Sequence, residues 1–261
     1  MIIAAETERA VATQRASDRA KARMQESGQR PIFLCNWMRA LFIHFECDPA
    51  LLQPDVPYEL DLWHGRACVS LVAFTMERLR PCLGGRLAEA CVAPIATHSF
   101  MNVRTYVRHG GNPGIYFLLE WLPNRLSVLL GPAIYGLPYR YGRLDYQHHP
   151  EEGRINGSVA AAGERLEYRG ALDPRTQFAP SAAGSRAEFL LERYSAYTRR
   201  GETKLLFHIW HHPWPQASLE IELNESKLLK THCRWMQFSN NVGANYSTGV
   251  QDVWVGAPQR C

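Results

Sequence analysis

The stretch that decides the fold is Asn102–Trp121, with the sequence NVRTYVRHGGNPGIYFLLEW. Its first seven residues alternate, so that Asn102, Arg104 and Tyr106 share one face of an extended chain while valine and threonine occupy the other. The glycine-rich segment Gly110–Gly114 follows, and such a segment between two strand-like runs is typical of a hairpin loop. The apolar and aromatic residues after it have the composition of a second strand. We therefore predict an antiparallel β-hairpin here.

Short apolar runs with the composition of β-strands recur on both sides of this hairpin. Ala67–Phe74 is almost wholly apolar, which predicts a strand that is buried on both faces. Helical signals are fewer: an acidic N-cap and a first-turn proline in Asp48–Leu52, a run without alternation in Arg125–Ile134, and helical spacing in Ala187–Tyr197. The further predicted strands are Ile115–Trp121, Arg165–Ala171, Thr203–His211, Ala217–Asn224 and Val250–Val255.

Many short strands separated by glycine and proline, with few helices, predict a mostly β (α+β) fold built on a closed or nearly closed antiparallel sheet. No internal repeat or linker interrupts residues 31–256, so we expect a single domain there. Residues 1–30 form a polar extension that we expect to be flexible or helical, and residues 257–261 form a C-terminal tail.

The composition is that of an ordinary globular protein, with 46% hydrophobic and 21% charged residues among 261. No run approaches the ~20 apolar residues that cross a bilayer, so we expect no membrane partner. The formal net charge of +4 is mild and the arginines are scattered between acids, which argues against nucleic-acid binding. A small-molecule ligand is the expected partner, and association into a homo-oligomer stays open.

The chain has seven cysteines, an odd number without any Cys-x-x-Cys pair, and several stand within apolar runs. Such cysteines are typical of small buried side chains in a reducing compartment. The first thirty residues contain no continuous apolar segment of the kind found in secretory signals. We therefore expect a cytoplasmic protein.

Motifs for dinucleotide, nucleotide-phosphate, serine-hydrolase and zinc-protease sites are missing from the sequence. The nearest approach to a metal site is His208, His211 and His212, where His208 and His212 share one face of a strand and His211 points away. The sequence identifies no third inward ligand. Hydrogen-bonded structural histidines are therefore favoured, and we expect no metal and no cofactor.

The chain has only four lysines, Lys21, Lys204, Lys227 and Lys230, which limits amine catalysis. A Schiff base requires a lysine in an apolar pocket, where its pKa falls and the free amine becomes available. Of the four, Lys204 alone stands on a predicted strand. A solvated lysine at the strand edge is the favoured interpretation.

Seven segments, in this order, carry a family resemblance: Phe42–Leu52, Glu59–Phe74, Asn102–Arg108, Tyr135–Tyr141, Leu191–Tyr194, His212–Pro215 and Tyr246–Val250. Together they resemble the YqjF-like family of uncharacterised bacterial proteins, domain of unknown function 2071, over about residues 33–256. That family is placed near the acetoacetate decarboxylase-like fold, a barrel-like sheet around a small-molecule cavity. The resemblance therefore implies such a cavity in this protein.

The sequence differs from those of the decarboxylases at the residues that carry out their reaction. Those enzymes carry a Gly-x-Pro-Lys-Lys segment whose first lysine forms the Schiff base, and the matching stretch here is Gly136–Arg140. Tyr139 cannot form an imine, and Arg140 stays protonated and is a poor nucleophile. The two acidic positions of the decarboxylases fall near Asn102 and Ser70. The departures imply that decarboxylation through a Schiff base is lost.

Candidate ligand-binding residues follow if the polar faces of the hairpin point into that cavity. Alternation places Tyr116 and Glu120 together on the second strand, opposite Arg104 and its neighbours on the first. Arg104 either forms an ion pair with Glu120 or, together with Arg140, makes paired hydrogen bonds to the carboxylate of a ligand, an arrangement called the Arg104–Arg140 fork. The alternative is that this face of the sheet is simply exposed to solvent. The predicted ligand-binding residues are Arg104, Tyr106, Tyr116, Glu120, Tyr139 and Arg140.

Two functions from different classes remain open. The first is a protein whose cavity binds a small organic molecule, neutral or anionic, without Schiff-base chemistry. The second is an enzyme that acts on a small carbonyl or carboxylate substrate by acid/base chemistry. Its candidate catalytic residues are Tyr139, His212 and Glu120, with Arg140 beside them, and His212 is included because the pKa of histidine lies near neutrality.

Overall fold

The computed structural model describes residues 16–26 and 30–261. The strands are β1 Pro31–Cys47, β2 Glu59–Leu60, β3 Ala67–Pro81, β4 His98–His109, β5 Asn112–Leu122, β6 Tyr139–Tyr141, β7 Arg143–His149, β8 Arg154–Ala161, β9 Glu164–Ala171, β10 Ser195–Arg200, β11 Thr203–Trp210, β12 Gln216–Glu225, β13 Asn240–Gly256 and β14 Gln259–Arg260. The α-helices are α1 at residues 16–26, α2 Pro49–Leu52, α3 Gly85–Val92, α4 Arg125–Tyr135, α5 Arg186–Leu191 and α6 Lys227–His232.

Seven strands form a closed ring in the order β11, β10, β5, β4, β3, β1 and β13, and β13 pairs again with β11. Neighbours are antiparallel except β5 and β10, which run parallel. The closing contact is short, with Ile209 opposite Val255 and Trp210 opposite Trp254. The prediction of a mostly β, barrel-like fold is confirmed.

A second sheet extends the ring through β12, β9, β8 and β7. Its apolar side chains pack with those on the outside of the ring into one cluster, the outer core, which includes Leu71, Val103, Trp121, Ile155 and Leu166. A separate cluster, the barrel core, occupies the inside of the ring and includes Phe42, Val72, Phe100, Phe117, Phe207 and Val253. The ring is therefore apolar on both faces.

Alternation along the strands explains why both faces are buried. On β3, Leu71 belongs to the outer core and Val72 to the barrel core. Every residue of Ala67–Phe74 is buried, as predicted. On β4, Met101 and Val103 face outwards, whereas the residues between and beside them face into the ring.

A β-bulge in β5 overturns one expectation about its side chains. Val103 lies opposite Leu119 and Arg104 opposite Phe117, so Leu118 is an extra residue without its own partner. The extra residue reverses the alternation, because Phe117 and Glu120 both face into the ring while Tyr116 packs against the outer core. The prediction that Tyr116 and Glu120 share a face is therefore wrong.

One of the helix predictions is confirmed and another is only partly correct. The helix α4 confirms the prediction over Arg125–Ile134, and Asn124 caps it by accepting a hydrogen bond from the Ser127 backbone amide at 3.0 Å. The helical prediction over Ala187–Tyr197 is correct only for α5. Its second half forms β10, because pairing with β11 and β5 satisfies the backbone there.

The helix α1 lies in the predicted extension and covers the place where the ring closes. Ser17 Oγ donates to the His211 carbonyl at 2.8 Å, and Lys21 Nζ lies 4.2 Å from the ring centroid of Trp210 and 4.8 Å from that of Trp254. Residues 1–15 and 27–29 of the extension lie outside the described residues. In the predicted tail, β14 pairs with β11. Among the described helices, none has the length and apolarity to cross a bilayer.

Candidate functional site

The inside of the ring contains a cavity of about 320 Å³. Its wall is mainly aromatic and aliphatic, and Leu130, Gly131 and Ile134 of α4 line part of it. Rings from several strands and loops contribute, among them Trp37, Phe42, Phe74, Phe100, Phe117 and Trp214. A concave, mostly apolar space of this size with a few polar groups is typical of a small-molecule site.

The inward face of β4 supplies polar groups to this wall. His98, Asn102 and Arg104 all line the cavity, with Phe100 between the first two. Inward residues recur every second position, about 6.6–6.8 Å apart along a strand, so β4 places these groups in a row. The predicted polar face of this strand therefore points into the cavity and not into solvent.

Arg104 is a buried cation without a carboxylate partner. Its side chain is 7% exposed, its Nη2 donates to the Leu190 carbonyl at 2.9 Å, and its Nε has no hydrogen-bond partner. No ion pair forms between Arg104 and any described carboxylate. By contrast, Arg193, which also lines the cavity, pairs with Asp61 at 2.7 Å. Arg104 can therefore hold an anion.

Glu120 lines the same cavity as a buried acid. It is 3% exposed, and its Oε1 has no hydrogen-bond partner. The register places Glu120 opposite Asn102, and Arg104 opposite Phe117, so the expected Arg104–Glu120 pair across the hairpin does not form. Burial raises the pKa of Glu120 well above its usual range, because the charged carboxylate is disfavoured away from water.

Further polar atoms in this wall have no partner among the described residues. Asn102 Oδ1 and both ring nitrogens of His98 are buried and unpaired. Burial lowers the pKa of His98 to about 4, so its ring is neutral. Buried polar groups in native proteins nearly always have partners, so such a concentration in one cavity makes this wall a candidate binding site.

Tyr139 lies beside Glu120, because β6 pairs in parallel with β5 and aligns these two residues. Its ring packs against Gly131 of α4, where a Cβ atom would lie 2.3 Å from the ring. Burial, and then the neighbouring Glu120, raise the pKa of Tyr139 well above its usual range. The phenol is therefore a neutral hydrogen-bonding group.

The other predicted site residues lie outside the cavity wall. Arg140 follows Tyr139 on β6 and so points the opposite way, where it is exposed and bonds His232 Nδ1 at 3.3 Å, so the fork with Arg104 does not form. His212 is exposed and packs on the ring of Trp210. Tyr116 lies against the outer core, as described above.

Tyr106 shares the inward face of β4 but is packed behind the cavity. Its hydroxyl donates to the Leu190 carbonyl at 2.9 Å and contacts Ser70 Oγ at 2.5 Å. Ser70 Oγ in turn lies 2.7 Å from His44 Nδ1, and His44 Nε2 lies 3.0 Å from Asn245 Oδ1. Burial lowers the pKa of His44 to about 3. This neutral network holds the carbonyl that orients Arg104.

Sequence reasoning missed three residues near the cavity. His98 and His211 line it, and His44 supports it. His211 Nδ1 donates to the His212 carbonyl, and burial lowers the pKa of His211 to about 4. The alternation of β4 extended backwards from Asn102 predicts an inward His98, but the turn after β11 gives no such signal for His211.

All four lysines lie in the described part of the chain, and none lines the cavity. Lys204 Nζ lies 4.9 Å from the ring centroid of Tyr58, on the side of the outer core. Among the described residues, three ligating side chains come close enough to hold a metal ion only at the surface group His149, Glu151 and Glu152.

The closed ring and its interior cavity define the acetoacetate decarboxylase-like fold. The chain is similar to an acetoacetate decarboxylase from Legionella pneumophila, with a TM-score of 0.61, 14% identity and 87% of each chain covered. It is also similar to the enduracididine biosynthesis enzyme MppR complexed with pyruvate, with a TM-score of 0.61, 12% identity, and 88% of this chain and 90% of that chain covered. These likenesses show the fold.

The family follows from the sequence comparisons. The DUF2071 family, described as an uncharacterized conserved protein, matches residues 35–251. The uncharacterized protein YqjF of Bacillus subtilis (strain 168) is 30% identical over 203 residues, which cover 75% of this chain and 79% of that protein. The chain belongs to the DUF2071 family, and the resemblance found in the sequence is confirmed.

Proposed function

We propose that the barrel cavity binds a small organic carboxylate, and that it does so without Schiff-base chemistry. The observation that carries the proposal is Arg104, a buried guanidinium that lines the cavity without a carboxylate partner. Keeping such a cation buried is costly unless an anion neutralises it, so a carboxylate ligand restores the missing partner. The aromatic wall covers the rest of the ligand.

The positions of the lysines support the second half of the proposal. No lysine lines the cavity, and Tyr139 stands where the decarboxylases carry the lysine that forms the Schiff base. MppR, a fold neighbour, has been captured with pyruvate, which is a small carboxylate. This protein keeps the capacity for a carboxylate and uses neutral groups where the amine stood.

The test compares binding of a panel of aliphatic and aryl carboxylates with binding of the matching neutral amides, by thermal shift and titration calorimetry. We expect carboxylates to bind and Arg104→Met to weaken them about 10- to 100-fold, the usual range for a lost charged hydrogen bond. The matched control is Arg108→Met, because Arg108 lies four residues along β4 and points to Asp61 instead. Equal binding by wild type and Arg104→Met, or no binding of any carboxylate, contradicts the proposal.

A separate measurement addresses the imine. Wild-type protein is incubated with pyruvate and sodium borohydride and then weighed by mass spectrometry. We expect no covalent adduct, because a Schiff base needs a desolvated lysine at the ligand. An adduct on any of the four lysines contradicts this part of the proposal.

The enzyme alternative is supported by Glu120 and Tyr139, since a buried acid in a cavity is a common feature of catalytic sites. Arg140 and His212 point away from the cavity and have no role in it. Product formation that is lost in Tyr139→Phe, with ligand binding retained, would favour the enzyme. Retained binding without turnover favours the binding protein.

The expected partner and location form part of the same proposal. A small-molecule ligand is the proposed partner, with neither a nucleic acid nor a membrane. All seven cysteines lie in described residues and are free thiols, which supports a reducing, cytoplasmic location.

A further inference from the structure

We propose that the cavity selects a carboxylate whose apolar body carries a hydroxyl group, which donates a hydrogen bond to Asn102 Oδ1 and accepts one from the Glu120 carboxyl group. This inference rests on the proposed function and names the ligand class within it. It starts from two groups that Arg104 cannot satisfy: Asn102 Oδ1 and Glu120 Oε1 are both buried and both without a partner.

The sheet register brings these two groups together. Asn102 and Glu120 lie directly opposite each other on β4 and β5, and both line the cavity. Residues opposite each other in an antiparallel pair have Cα atoms about 4.5–5.5 Å apart. One ligand atom can therefore reach both side chains, and Arg104 lies one inward position further along β4, about 6.6–6.8 Å away.

The donor and acceptor properties of the pair select the ligand group. Asn102 Oδ1 only accepts, whereas a protonated Glu120 can donate. A hydroxyl group both donates and accepts, so it satisfies the two at once. A ketone oxygen only accepts and would leave Asn102 Oδ1 unpaired, and an unpaired buried acceptor costs about 1–3 kcal/mol.

A cationic amine is the main alternative for this pair, and the surroundings disfavour it. An ammonium group would have to be removed from water into a wall that is mainly aromatic, with Phe100 and Phe117 beside the pair. It would also introduce a second positive charge near Arg104. Burial raises the pKa of Glu120, and no ion pair involves its carboxyl group among the described residues, which agrees with a neutral acid.

The experiment measures Kd by calorimetry for 3-phenylpropanoate, its three ring-hydroxylated isomers and an aminomethyl analogue. We expect at least one hydroxylated isomer to bind about tenfold or more tightly than the parent acid. In Glu120→Leu and Asn102→Leu that preference disappears while the parent acid still binds. Glu120→Gln keeps most of it, because the amide both donates and accepts like the protonated acid.

The controls separate this inference from the proposed function. Glu59→Leu removes an exposed glutamate on β2 and should leave the preference unchanged. Circular dichroism confirms that each variant is folded. If the parent acid binds but no isomer binds more tightly, or the preference survives in Glu120→Leu, the inference is overturned and the carboxylate site stands.

Two further outcomes also decide the question. Tighter binding of the aminomethyl analogue than of every hydroxylated isomer would show that Glu120 acts as an ionised carboxylate, which overturns the inference. If the wild-type protein binds none of these acids and none of the wider carboxylate panel, the proposed function fails and this inference fails with it.

Discussion

The outer core and the barrel core lie on opposite faces of the same seven strands, and a buried histidine on each side has different surroundings. In the outer core, His148 Nδ1 donates to the Arg39 carbonyl at 2.9 Å and Nε2 accepts from the Tyr168 hydroxyl at 2.8 Å. In the barrel core, His98 has no partner on either nitrogen. His148 is therefore satisfied within the chain, whereas His98 presents two unpaired nitrogens in the wall of the cavity.

The two cores should differ most in the cost of removing an aromatic ring. Trp121 is fully enclosed in the outer core, so Trp121→Ala should lower the free energy of unfolding by about 3–5 kcal/mol. Phe74 borders the cavity, so its ring has fewer neighbours to lose and Phe74→Ala should cost clearly less. Urea denaturation of both variants measures this, and equal losses would contradict the comparison.

Acid should destabilise both cores alike. Burial lowers the pKa of His98 and of His148 to about 4, so each ring stays neutral in the folded protein while the unfolded chain takes up protons below about pH 6.5. Stability should therefore fall between pH 6.5 and 4, by roughly 3 kcal/mol for each histidine. Replacing either residue by phenylalanine should flatten that part of the curve, and an unchanged slope in both variants would be inconsistent with neutral rings.

At neutral pH the same two substitutions should act in opposite directions. His148→Phe leaves the Tyr168 hydroxyl and the Arg39 carbonyl without their partner, and should cost about 1–3 kcal/mol. His98→Phe removes two unpaired nitrogens and should be neutral or stabilising. The midpoints of urea denaturation at pH 7.5 report the difference. A larger loss for His98→Phe would reverse the assignment of the two cores.

Glu120→Leu should stabilise the protein without ligand, by about 1 kcal/mol, because it removes a buried carboxyl oxygen that has no partner. The gain should grow as the pH rises above about 4.5, because the unfolded chain then ionises Glu120 while the raised pKa in the folded protein opposes its ionisation. Thermal denaturation from pH 5 to pH 8 tests the sign. A gain that shrinks with rising pH would show that Glu120 is ionised in the fold.

Arg140→Ala should have the smallest effect. Its side chain is exposed and faces away from the cavity, at the margin of the outer core where it bonds His232. We expect a change within about 0.5 kcal/mol in stability and no change in the Kd of a carboxylate. A marked loss of carboxylate binding would instead support the prediction from the sequence that Arg140 and Arg104 bind the carboxylate together.

The fold was largely predictable because its signals are local. The alternation in Asn102–Arg108 and the apolar run Ala67–Phe74 give strands that β4 and β3 confirm. Which strands close the ring was not predictable, since the closure depends on two residue pairs between β11 and β13 that lie far apart in sequence. The same applies to β10, whose helical spacing is overridden by sheet pairing.

The site was predictable where alternation holds and not where it is interrupted. Arg104 lines the cavity because β4 is regular up to that point, and Tyr139 follows from the family motif. Glu120 was predicted to share a face of its strand with Tyr116, and this was wrong because nothing in a single sequence marks Leu118 as the bulged residue. Sequence alternation therefore identifies candidates, and the register decides which of them meet.

That extra residue has an evolutionary consequence. Loss of the single codon for Leu118 would remove the bulge but leave Phe117 opposite Arg104 and Glu120 opposite Asn102. Phe117 and Glu120 would then stand two positions apart and share the inward face by ordinary alternation. In this family, a one-residue gap at this point of β5 is therefore compatible with an unchanged cavity wall, whereas substitution of Asn102 or Glu120 alters it.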